Sequence, residues 1–269
     1  MKFTKMHVLG NDIICVIQNE NINYNLKMFS KFLCDRHYGI GADAFVIIGK
    51  SNIADMKIRC FSSDGNESEL NINALICVSK IMYEENIIKK NIFYIETVNG
   101  TKKTELLLKN NKIMNIRIDS GKVLSNYKNN IKKFIFKVRD REIIGTGVLY
   151  GNYTVIIECE NLNEINIEKY GKIIENYKYF FNKVNVEFMQ VIDRNVMRIK
   201  SWQKGNGIVL SNGNGAIISA CLAFEKGIID KDVTIETDGG CFELLIDEKE
   251  NKIYLQTDAV KIFSGEIDF

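Results

Sequence analysis

Short apolar runs, bounded by Gly, Asn and Asp, recur along almost the whole chain and constrain its fold more than any other feature. They are rich in Ile and Val, which is typical of β-strands. The runs occupy residues 12–17, 44–48, 57–61, 91–96, 112–119, 134–138, 147–158, 184–192, 196–202, 233–236, 242–247 and 252–257. Helical periodicity is confined to residues near 24–35, 68–85, 164–181 and 212–226. Few helices among many strands predict an α+β fold, because a βαβ alternation would follow almost every strand with a helix.

Composition limits the class of protein. The chain has 269 residues, 46% of them apolar and 26% charged, which suits one large domain or two small ones. Its 36 Lys and Arg residues nearly balance its 34 Asp and Glu residues, which argues against nucleic acid and anionic membranes as partners. The apolar runs are shorter than the ~18 residues of a membrane-spanning helix, and the first residues do not resemble a signal peptide. We therefore expect a cytoplasmic protein.

The numbers and spacing of cysteine and histidine limit which disulfides, metal sites and catalytic groups the chain can form. The 7 cysteines are odd in number and contain no C-x-x-C pair, so we expect mostly reduced, buried thiols rather than a disulfide framework. With 2 histidines in the chain, a zinc site and a Ser-His-Asp triad are both disfavoured. We expect neither a metal nor an organic cofactor.

Cationic side chains are concentrated in residues 128–141. Apolar Phe134, Phe136 and Val138 alternate with them in the sequence. This pattern favours a solvated strand face over a binding patch.

Two Asn-x-Asn sequences, Asn71 to Asn73 and Asn212 to Asn214, each precede an apolar helical segment. Their separation predicts two similar halves that each present a helix N-terminus. Asn is a favoured N-cap, so one interpretation is simply two well-capped helices. The alternative is that the two N-termini, with exposed N–H groups and positive dipole ends, face each other around an anion such as a carboxylate.

A series of short motifs runs through the chain from residue 3 to residue 267. They are KMHVLGND at residues 5–12, RHYGIGAD at 36–43, FSSDG at 61–65, ETVNG at 96–100, GN at 151–152, VNVEFMQV at 184–191 and FSGEI at 263–267. In the same order they resemble KMHGLGND, RHFGIGAD, FNADG, ETLAG, the start of GNPH, VNVEFMQV and FEGEI of the diaminopimelate epimerase family. An ordered series is far more specific than any one of these matches.

The resemblance implies two pseudo-symmetric halves, each a curved, mostly antiparallel sheet around a central helix. The first half would comprise residues 1–117, with the segment 258–269 returning to it, and the second residues 118–257. Family members belong to lysine biosynthesis and epimerise the α-carbon of an amino acid without pyridoxal phosphate, in a cleft between the halves. One cysteine thiolate removes the α-proton while an opposite thiol supplies a proton to the other face. The resemblance is also compatible with a homodimer.

This chain departs from the family at both cysteine positions. The family writes the two helix starts as CGNGARC and CGTGA, whereas here they begin with Asn71 and Asn212. A neutral carboxamide has no proton-transfer pKa near 7, so neither residue can abstract or return an α-proton. Cys77 and Cys221 lie further along the two helices, where a buried core thiol is the usual outcome. We therefore predict that two-thiol chemistry is absent.

Further substitutions affect the residues that would hold a substrate. Gln203 and Lys204 replace the Glu and Arg of the family's ERGVGET, which removes the planar guanidinium fork. Thr154 replaces a histidine, and Ile72 and Ala74 replace glycines that permit close backbone approach. By resemblance, the candidate substrate-binding residues are Asn11, Ser62, Asn73, Asn152, Asn185, Gln203, Lys204, Gly213 and Asn214.

Three functions remain open. The first is an isomerase or racemase that acts on another amino acid through an altered acid/base pair. The second is a non-catalytic descendant that binds a small amino acid, another carboxylate ligand or a protein partner. The third is a related lyase or double-bond isomerase, for which Asp64, Glu67 and Glu69 are the nearest carboxylates, although acids usually lie solvated at the surface.

Overall fold

The computed structural model describes residues 1–18, 25–68, 70–121, 131–138 and 141–268. Strands dominate these residues, and the predicted α+β fold is confirmed. The strands are β1 (Lys2–Val8), β2 (Asn11–Ile17), β3 (Ala44–Gly49), β4 (Met56–Ser62), β5 (Glu67–Ser68), β6 (Ile92–Thr97), β7 (Gly100–Lys109), β8 (Lys112–Asp119), β9 (Lys132–Val138), β10 (Arg141–Tyr150), β11 (Asn152–Glu158), β12 (Asn185–Asp193), β13 (Val196–Gln203), β14 (Gly207–Val209), β15 (Asp232–Thr237), β16 (Gly240–Asp247), β17 (Lys252–Thr257) and β18 (Val260–Glu266). The α-helices are α1 (Leu26–Cys34), α2 (Ile72–Glu84), α3 (Ile167–Glu175) and α4 (Gly213–Glu225), and a 3₁₀ turn covers Leu162–Glu164. Within the described residues, no helix has the length and apolarity needed to cross a membrane.

The backbone contacts divide the chain into two compact units. Unit 1 comprises Met1–Asp119 and Gln256–Phe269, and unit 2 comprises Ser120–Leu255. The C-terminal segment therefore belongs to the same unit as the N-terminus, and β18 pairs with β1 inside it.

The sheet of unit 1 has a characteristic order of pairings. β1 pairs antiparallel with β2 and β18, and β2 runs parallel to β3. β3 pairs antiparallel with β4, which also pairs with the short β5 and runs parallel to β6. β6, β7 and β8 are antiparallel neighbours. In the chain, α1 connects β2 to β3, and α2 connects β5 to β6.

Unit 2 repeats this order. β10 pairs antiparallel with β11 and β9, and β11 runs parallel to β12. β12 pairs antiparallel with β13, which also pairs with the short β14 and runs parallel to β15. β15 pairs antiparallel with β16, α3 connects β11 to β12, and α4 connects β14 to β15. The predicted pair of similar, mostly antiparallel halves is confirmed, because each of these pairings and helices of unit 2 has a counterpart in unit 1.

Each sheet lies between a central helix and an outer one. In unit 1, Ile14 and Val16 of β2 pack with Phe29 of α1, whereas Cys15 lies near Cys77 of α2. Successive strand residues point to opposite faces, so α1 and α2 cover opposite faces of the sheet. α2 is buried on almost every side, as expected of a helix that is apolar all round.

The same layering occurs in unit 2. Val186 and Phe188 of β12 pack in one cluster with Ile174 of α3, whereas Glu187 between them bonds to Asn212 at the start of α4. α3 approaches its sheet closely: a Cβ placed on Gly171 would lie 2.5 Å from the Trp202 ring. The side chains between α3 and the sheet of unit 2 therefore form a tightly packed core that contains aromatic rings.

Two sequence predictions need correction. Residues 147–158 do not form one strand, because the chain reverses at Gly151 (φ 69°) and β10 and β11 form a hairpin. The helix predicted near 164–181 ends at Glu175, and turns follow it. In contrast, the predicted alternation is observed within β9, where Phe134 and Phe136 are buried and Lys133 and Lys137 are exposed.

Candidate functional site

Asparagine side chains close the N-termini of both central helices. The Asn71 Oδ1 accepts the backbone N–H of Ala74 at 3.0 Å, and the Asn212 Oδ1 accepts that of Gly215 at 3.3 Å. Asn25 and Asn166 cap α1 and α3 in the same way. The N-cap interpretation of Asn71 and Asn212 is thus confirmed, while an anion at these helix ends stays a prediction.

Asn73 links the start of α2 to β2 in unit 1. Its Nδ2 donates to the Asn11 Oδ1 at 3.1 Å, and the Asn11 Nδ2 donates in turn to the Asp43 Oδ2 at 3.0 Å. Asn73 is only 3% exposed, and its Oδ1 has no hydrogen-bond partner among the described atoms. An acceptor in that position can take one further hydrogen bond from a ligand or water.

A charged network holds Asp43 in place. The Arg36 guanidinium bonds both Asp12 oxygens, at 2.8 and 2.9 Å, and the Asp43 Oδ1 at 3.0 Å, while the Lys5 Nζ lies 3.0 Å from the Asp12 Oδ2. Burial and the neighbouring Asp12 raise the pKa of Asp43 to about 6. Burial also opposes ionisation of Asp12, but hydrogen bonds from Arg36 and Lys5 lower its pKa below the ordinary value. The Asn11 amide is therefore oriented by a largely ionised cluster.

The side chain of Asn71 also contacts the Cys60 thiol of β4. Burial raises the pKa of Cys60 to about 12, so this thiol stays protonated at neutral pH. Ser62 lies at the end of the same strand, where its carbonyl accepts the Ser30 hydroxyl at 2.9 Å. Unit 1 thus brings Asn11, Asn73 and Asn71 to one helix start, with Ser62 on the strand beside it.

A buried carboxyl group lies against Asn212 in unit 2. The Asn212 Nδ2 donates to the Glu187 Oε1 at 2.6 Å, and the Ser201 Oγ donates to the Oε2 at 2.5 Å. Glu187 is 0% exposed, and burial raises its pKa to about 8. Among the described residues, no cation pairs with it. At neutral pH this group is mainly a neutral acid, hydrogen-bonded to Asn212.

The close fit of α4 on β12 fixes this contact. A Cβ placed on Gly215 would lie 2.1 Å from the Glu187 Oε1, so any larger residue there would displace the carboxyl group. Gly213 is buried in the first turn of the helix, and Asn214 beside it is half-buried.

Gln203 and Lys204, two of the predicted substrate-binding residues, lie at the end of β13 and in the loop that follows it. The Asn185 Oδ1 accepts the backbone N–H of Lys204 at 3.0 Å. The Gln203 Oε1 accepts the Asn206 Nδ2 at 3.4 Å. Glu175 of α3 supports the loop, because it accepts the Gly205 backbone N–H at 3.1 Å and the Trp202 indole N–H at 2.9 Å. Asn185 is therefore committed to positioning the loop.

Asn152 and Thr154 lie on β11, next to β12. Thr154 is buried and pairs in register with Asn185, while Asn152 is half-buried at the start of its strand. Unit 2 thus brings Asn185, Lys204 and Thr154 together, and it joins Asn212 to Glu187.

Most cysteine side chains of the chain are buried. All 7 are free, and Cys77 and Cys221 are fully buried in the two central helices. Burial is the main cause that raises both pKa values well above the ordinary range. The expectation of mostly reduced, buried thiols is confirmed, with Cys159 half-buried and Cys241 exposed.

The carboxylates suggested for a lyase lie on the surface or outside the described residues. Glu67 is exposed and pairs with Arg59 through two hydrogen bonds of 2.7 and 2.8 Å. Asp64 accepts bonds from Asn66 within a turn. Glu69 lies outside the described residues. Within them, no group of three or more His, Cys, Asp and Glu residues is arranged to hold a metal ion.

Sequence reasoning missed Glu187 as a functional residue, although it falls within a quoted motif. The available signal was a single carboxylate between apolar neighbours that alternate along a buried strand. Asp43 and Arg36 also lay in a quoted motif, and their role in orienting Asn11 depends on contacts that only the fold creates.

Several solved structures have a similar fold. A hydroxyproline epimerase from Agrobacterium vitis, with bound trans-4-hydroxy-L-proline, superposes with a TM-score of 0.76 at 12% identity, covering 98% of this chain and 91% of that one. A phenazine biosynthesis protein of the PhzF family from Bacillus anthracis gives 0.70 at 14% identity, covering 100% and 99%. A methylitaconate-delta-isomerase gives 0.60 at 12% identity, covering 98% and 95%. At these identities the likeness establishes the fold.

Sequence relatives define the family. The model of the family described as diaminopimelate epimerase matches residues 3–126 and 146–263. A diaminopimelate epimerase from Methanococcus maripaludis strain S2 is 36% identical over 276 residues, covering 100% of both chains. One from Acetivibrio thermocellus is 35% identical, covering 100% of this chain and 99% of the relative. This chain belongs to the diaminopimelate epimerase family.

Proposed function

We propose that the chain is an amino-acid-binding member of the diaminopimelate epimerase family that does not carry out two-thiol epimerisation. The observation that carries the proposal is the state of Asn71 and Asn212. Both stand at the family's cysteine positions, and both use their Oδ1 to cap a helix. A capping carboxamide offers no proton near neutral pH. The nearby thiols of Cys60 and Cys77 are buried and protonated, so neither replaces a catalytic thiolate.

The retained polar groups support binding of an amino acid. The capped helices keep a positive dipole end that favours a carboxylate. The free Asn73 Oδ1 can accept a hydrogen bond from an ammonium group, and Lys204 supplies a cation beside Asn185. A single lysine recognises a carboxylate less specifically than an arginine fork, so we expect modest affinity. A ligand cleft between the two halves is what the family resemblance predicts.

Solvent-deuterium exchange at the α-carbon tests the loss of catalysis. Diaminopimelate and other amino acids are incubated with the protein in D₂O, and Cα deuterium is measured by mass spectrometry. Loss of a general acid or base costs about 10²–10⁴-fold, and here both are gone, so we expect no exchange above the blank. An active family member provides the positive control. Turnover within tenfold of that control would refute the proposal.

Thermal unfolding tests binding separately. An amino acid at millimolar concentration should raise the Tm, whereas its amide or ester should not, because binding depends on the carboxylate. Gly213→Leu should abolish the shift by closing the start of α4. Gly49→Leu is the matched control, since a Cβ there meets its nearest atom, the Gln18 Oε1, at 3.8 Å. If no carboxylate ligand changes the Tm, binding is refuted and a protein partner becomes the leading alternative.

A second candidate function is favoured by Glu187. A buried carboxyl group with a pKa of about 8, bonded to Asn212, is a titratable group poised for acid/base chemistry. Through it, the chain would act as an isomerase on another amino acid. The deuterium experiment discriminates, because exchange that Glu187→Gln abolishes would favour this function over the first.

A further inference from the structure

Unit 2 contains a pocket that is separate from the Asn212 site. It has a volume of about 800 Å³ and is formed by one end of β9, β11 and the turns that follow α3. This volume falls within the ordinary range of small-molecule sites, about 300–1,000 Å³. Phe134 on its floor belongs to the cluster that packs with α3, whereas Glu187 faces α4. The pocket and Asn212 therefore lie on opposite faces of the same sheet.

Aromatic rings form the floor of this pocket. Phe134 packs against Phe180 with 5.0 Å between ring centroids, and Tyr153 lies 5.9 Å from Phe180. The floor is tightly packed against the sheet, because a Cβ placed on Gly147 would come within 2.6 Å of both Phe134 and Tyr153. The rings are thus held in fixed positions by the sheet beneath them.

The rim of the pocket combines exposed aromatic surface with positive charge. Phe181 is fully exposed, and Tyr179 is 49% exposed. Lys132, Lys133 and Lys178 line the same opening, and none of them forms an ion pair with a carboxylate of the described residues. No acidic residue is among the described residues that line it. The Lys132 Nζ lies 5.4 Å from the Phe134 ring centroid, and the Lys178 Nζ lies 5.8 Å from that of Tyr179. Exposed rings beside such cations attract a planar ring that carries negative charge.

We propose that this pocket binds a small aromatic anion, a planar ring system bearing a carboxylate, sulfonate or phosphate group. The ring stacks on Phe181 and Tyr179 above the aromatic floor, and the anionic group pairs with the rim lysines. A small ligand fits better than a nucleic acid strand, because the feature is a single concavity and the whole chain carries a net charge of only +2.

The probe for this site is 8-anilinonaphthalene-1-sulfonate, followed by its fluorescence with the full chain. We expect saturable binding at one site. Phe181→Ala should weaken it about 2- to 10-fold, the range for losing one aromatic contact. Lys132→Glu should weaken it at least as much and reduce its dependence on salt, because Lys132 lies on the same face of β9 as Phe134. Matched controls are Phe263→Ala and Lys249→Glu, an exposed ring in unit 1 and an exposed lysine distant in sequence from the pocket.

Competition separates the two parts of the proposed recognition. Naphthalene-2-sulfonate should displace the probe, whereas cyclohexanesulfonate, with the same charge and no aromatic ring, should not. The proposal is overturned if the probe does not bind, or if the pocket variants and the control variants bind it equally well. Displacement by oligothymidylate at lower concentrations than naphthalene-2-sulfonate would also overturn it, in favour of a strand-binding surface. Near-UV circular dichroism verifies that each variant is folded.

Discussion

Burial holds a proton on Glu187 at pH values where an exposed glutamate has lost it. The pKa of about 8 in the fold lies above the ordinary 4.5, so the folded state binds more protons than the unfolded state between these values. Its contribution to stability is therefore fully present below about pH 4.5 and is lost as pH rises through 8. Any function that requires the protonated form of Glu187 is likewise lost as pH rises through about 8.

Replacing Glu187 with Gln should flatten the dependence of stability on pH. Glutamine keeps the shape and can still accept the Asn212 Nδ2, but it does not titrate. Between pH 5 and pH 9 the free energy of unfolding should fall more for the natural protein than for Glu187→Gln, and urea titrations measure both. Glu160→Gln, at an exposed position, is the control and should follow the natural protein. Parallel pH profiles for all three chains would show that Glu187 is already ionised in the fold.

Replacing an N-cap asparagine should cost more stability where its side chain also makes a second hydrogen bond. Asn166→Ala removes only a cap and should cost about 1 kcal/mol. Asn212→Ala also leaves the buried Glu187 without its donor, which adds about 1–3 kcal/mol. Urea unfolding of both variants measures the difference. Equal losses would mean that the Asn212–Glu187 bond contributes nothing.

At the scale of elements, each outer helix is fitted to its sheet by the size of single side chains. α3 presents Gly171 to the Trp202 ring, where a Cβ would lie 2.5 Å from the ring carbons. Alanine is the better helix former by about 1 kcal/mol, so local propensity alone would predict stabilisation. Packing opposes this stabilisation, because the Trp202 ring is held by its hydrogen bond to Glu175 and cannot move away from an added Cβ without breaking that bond.

We expect Gly171→Ala to destabilise the protein by about 1–3 kcal/mol, the usual cost of overpacking. The Tm should fall, and the near-UV circular dichroism of the chain's only tryptophan should change. Lys172→Ala, at the next and exposed position of α3, should leave both unchanged. A raised Tm for Gly171→Ala would show that the helix can shift away from the ring at little cost.

At the scale of the whole molecule, catalytic ability depends on more than the two cysteine positions. A chain with Asn71→Cys and Asn212→Cys would still have Ile72 and Ala74 at the first helix start and Lys204 in place of arginine. Asn212→Cys would also remove the amide donor that holds the buried Glu187 carboxyl group. Epimerase activity, followed by chiral chromatography, should therefore stay at least about 100-fold below that of an active family member. Full activity in this double variant would refute the argument.

Much of the fold could be predicted from the sequence. The predictions for α1, α2 and α4 agree with the structure within a few residues, whereas α3 was predicted too long at its C-terminus; the paired Asn-x-Asn sequences indicated the repeat. β1, β7 and β18 were missed by pattern because polar or charged residues occupy many of their positions. The 147–158 run was interpreted as one strand because apolar residues continue on both sides of the short Gly151-Asn152 turn sequence, which was not read as a hairpin.

Less of the candidate site could be predicted. The motifs indicated which asparagines to examine, and the structure shows Asn11 bonded to Asn73, and Asn185 to the backbone of Lys204. The partner of Asn212 could not be inferred, because Glu187 lies 25 residues away in sequence. Such contacts depend on register between strands and helices, which local patterns do not specify.

Because most of the thiols are buried, their reaction with an alkylating reagent reports which part of the chain has unfolded. Cys15, Cys34, Cys60 and Cys77 all lie in unit 1, and all are buried, whereas exposed Cys241 belongs to unit 2. A maleimide reagent applied under native conditions therefore marks Cys241 first. Brief alkylation at increasing urea, followed by peptide mapping, then measures the unfolding of each unit separately. The four buried cysteines report on unit 1, and Cys221 reports on unit 2. The native sequence thus carries its own footprinting labels, with no engineered site required.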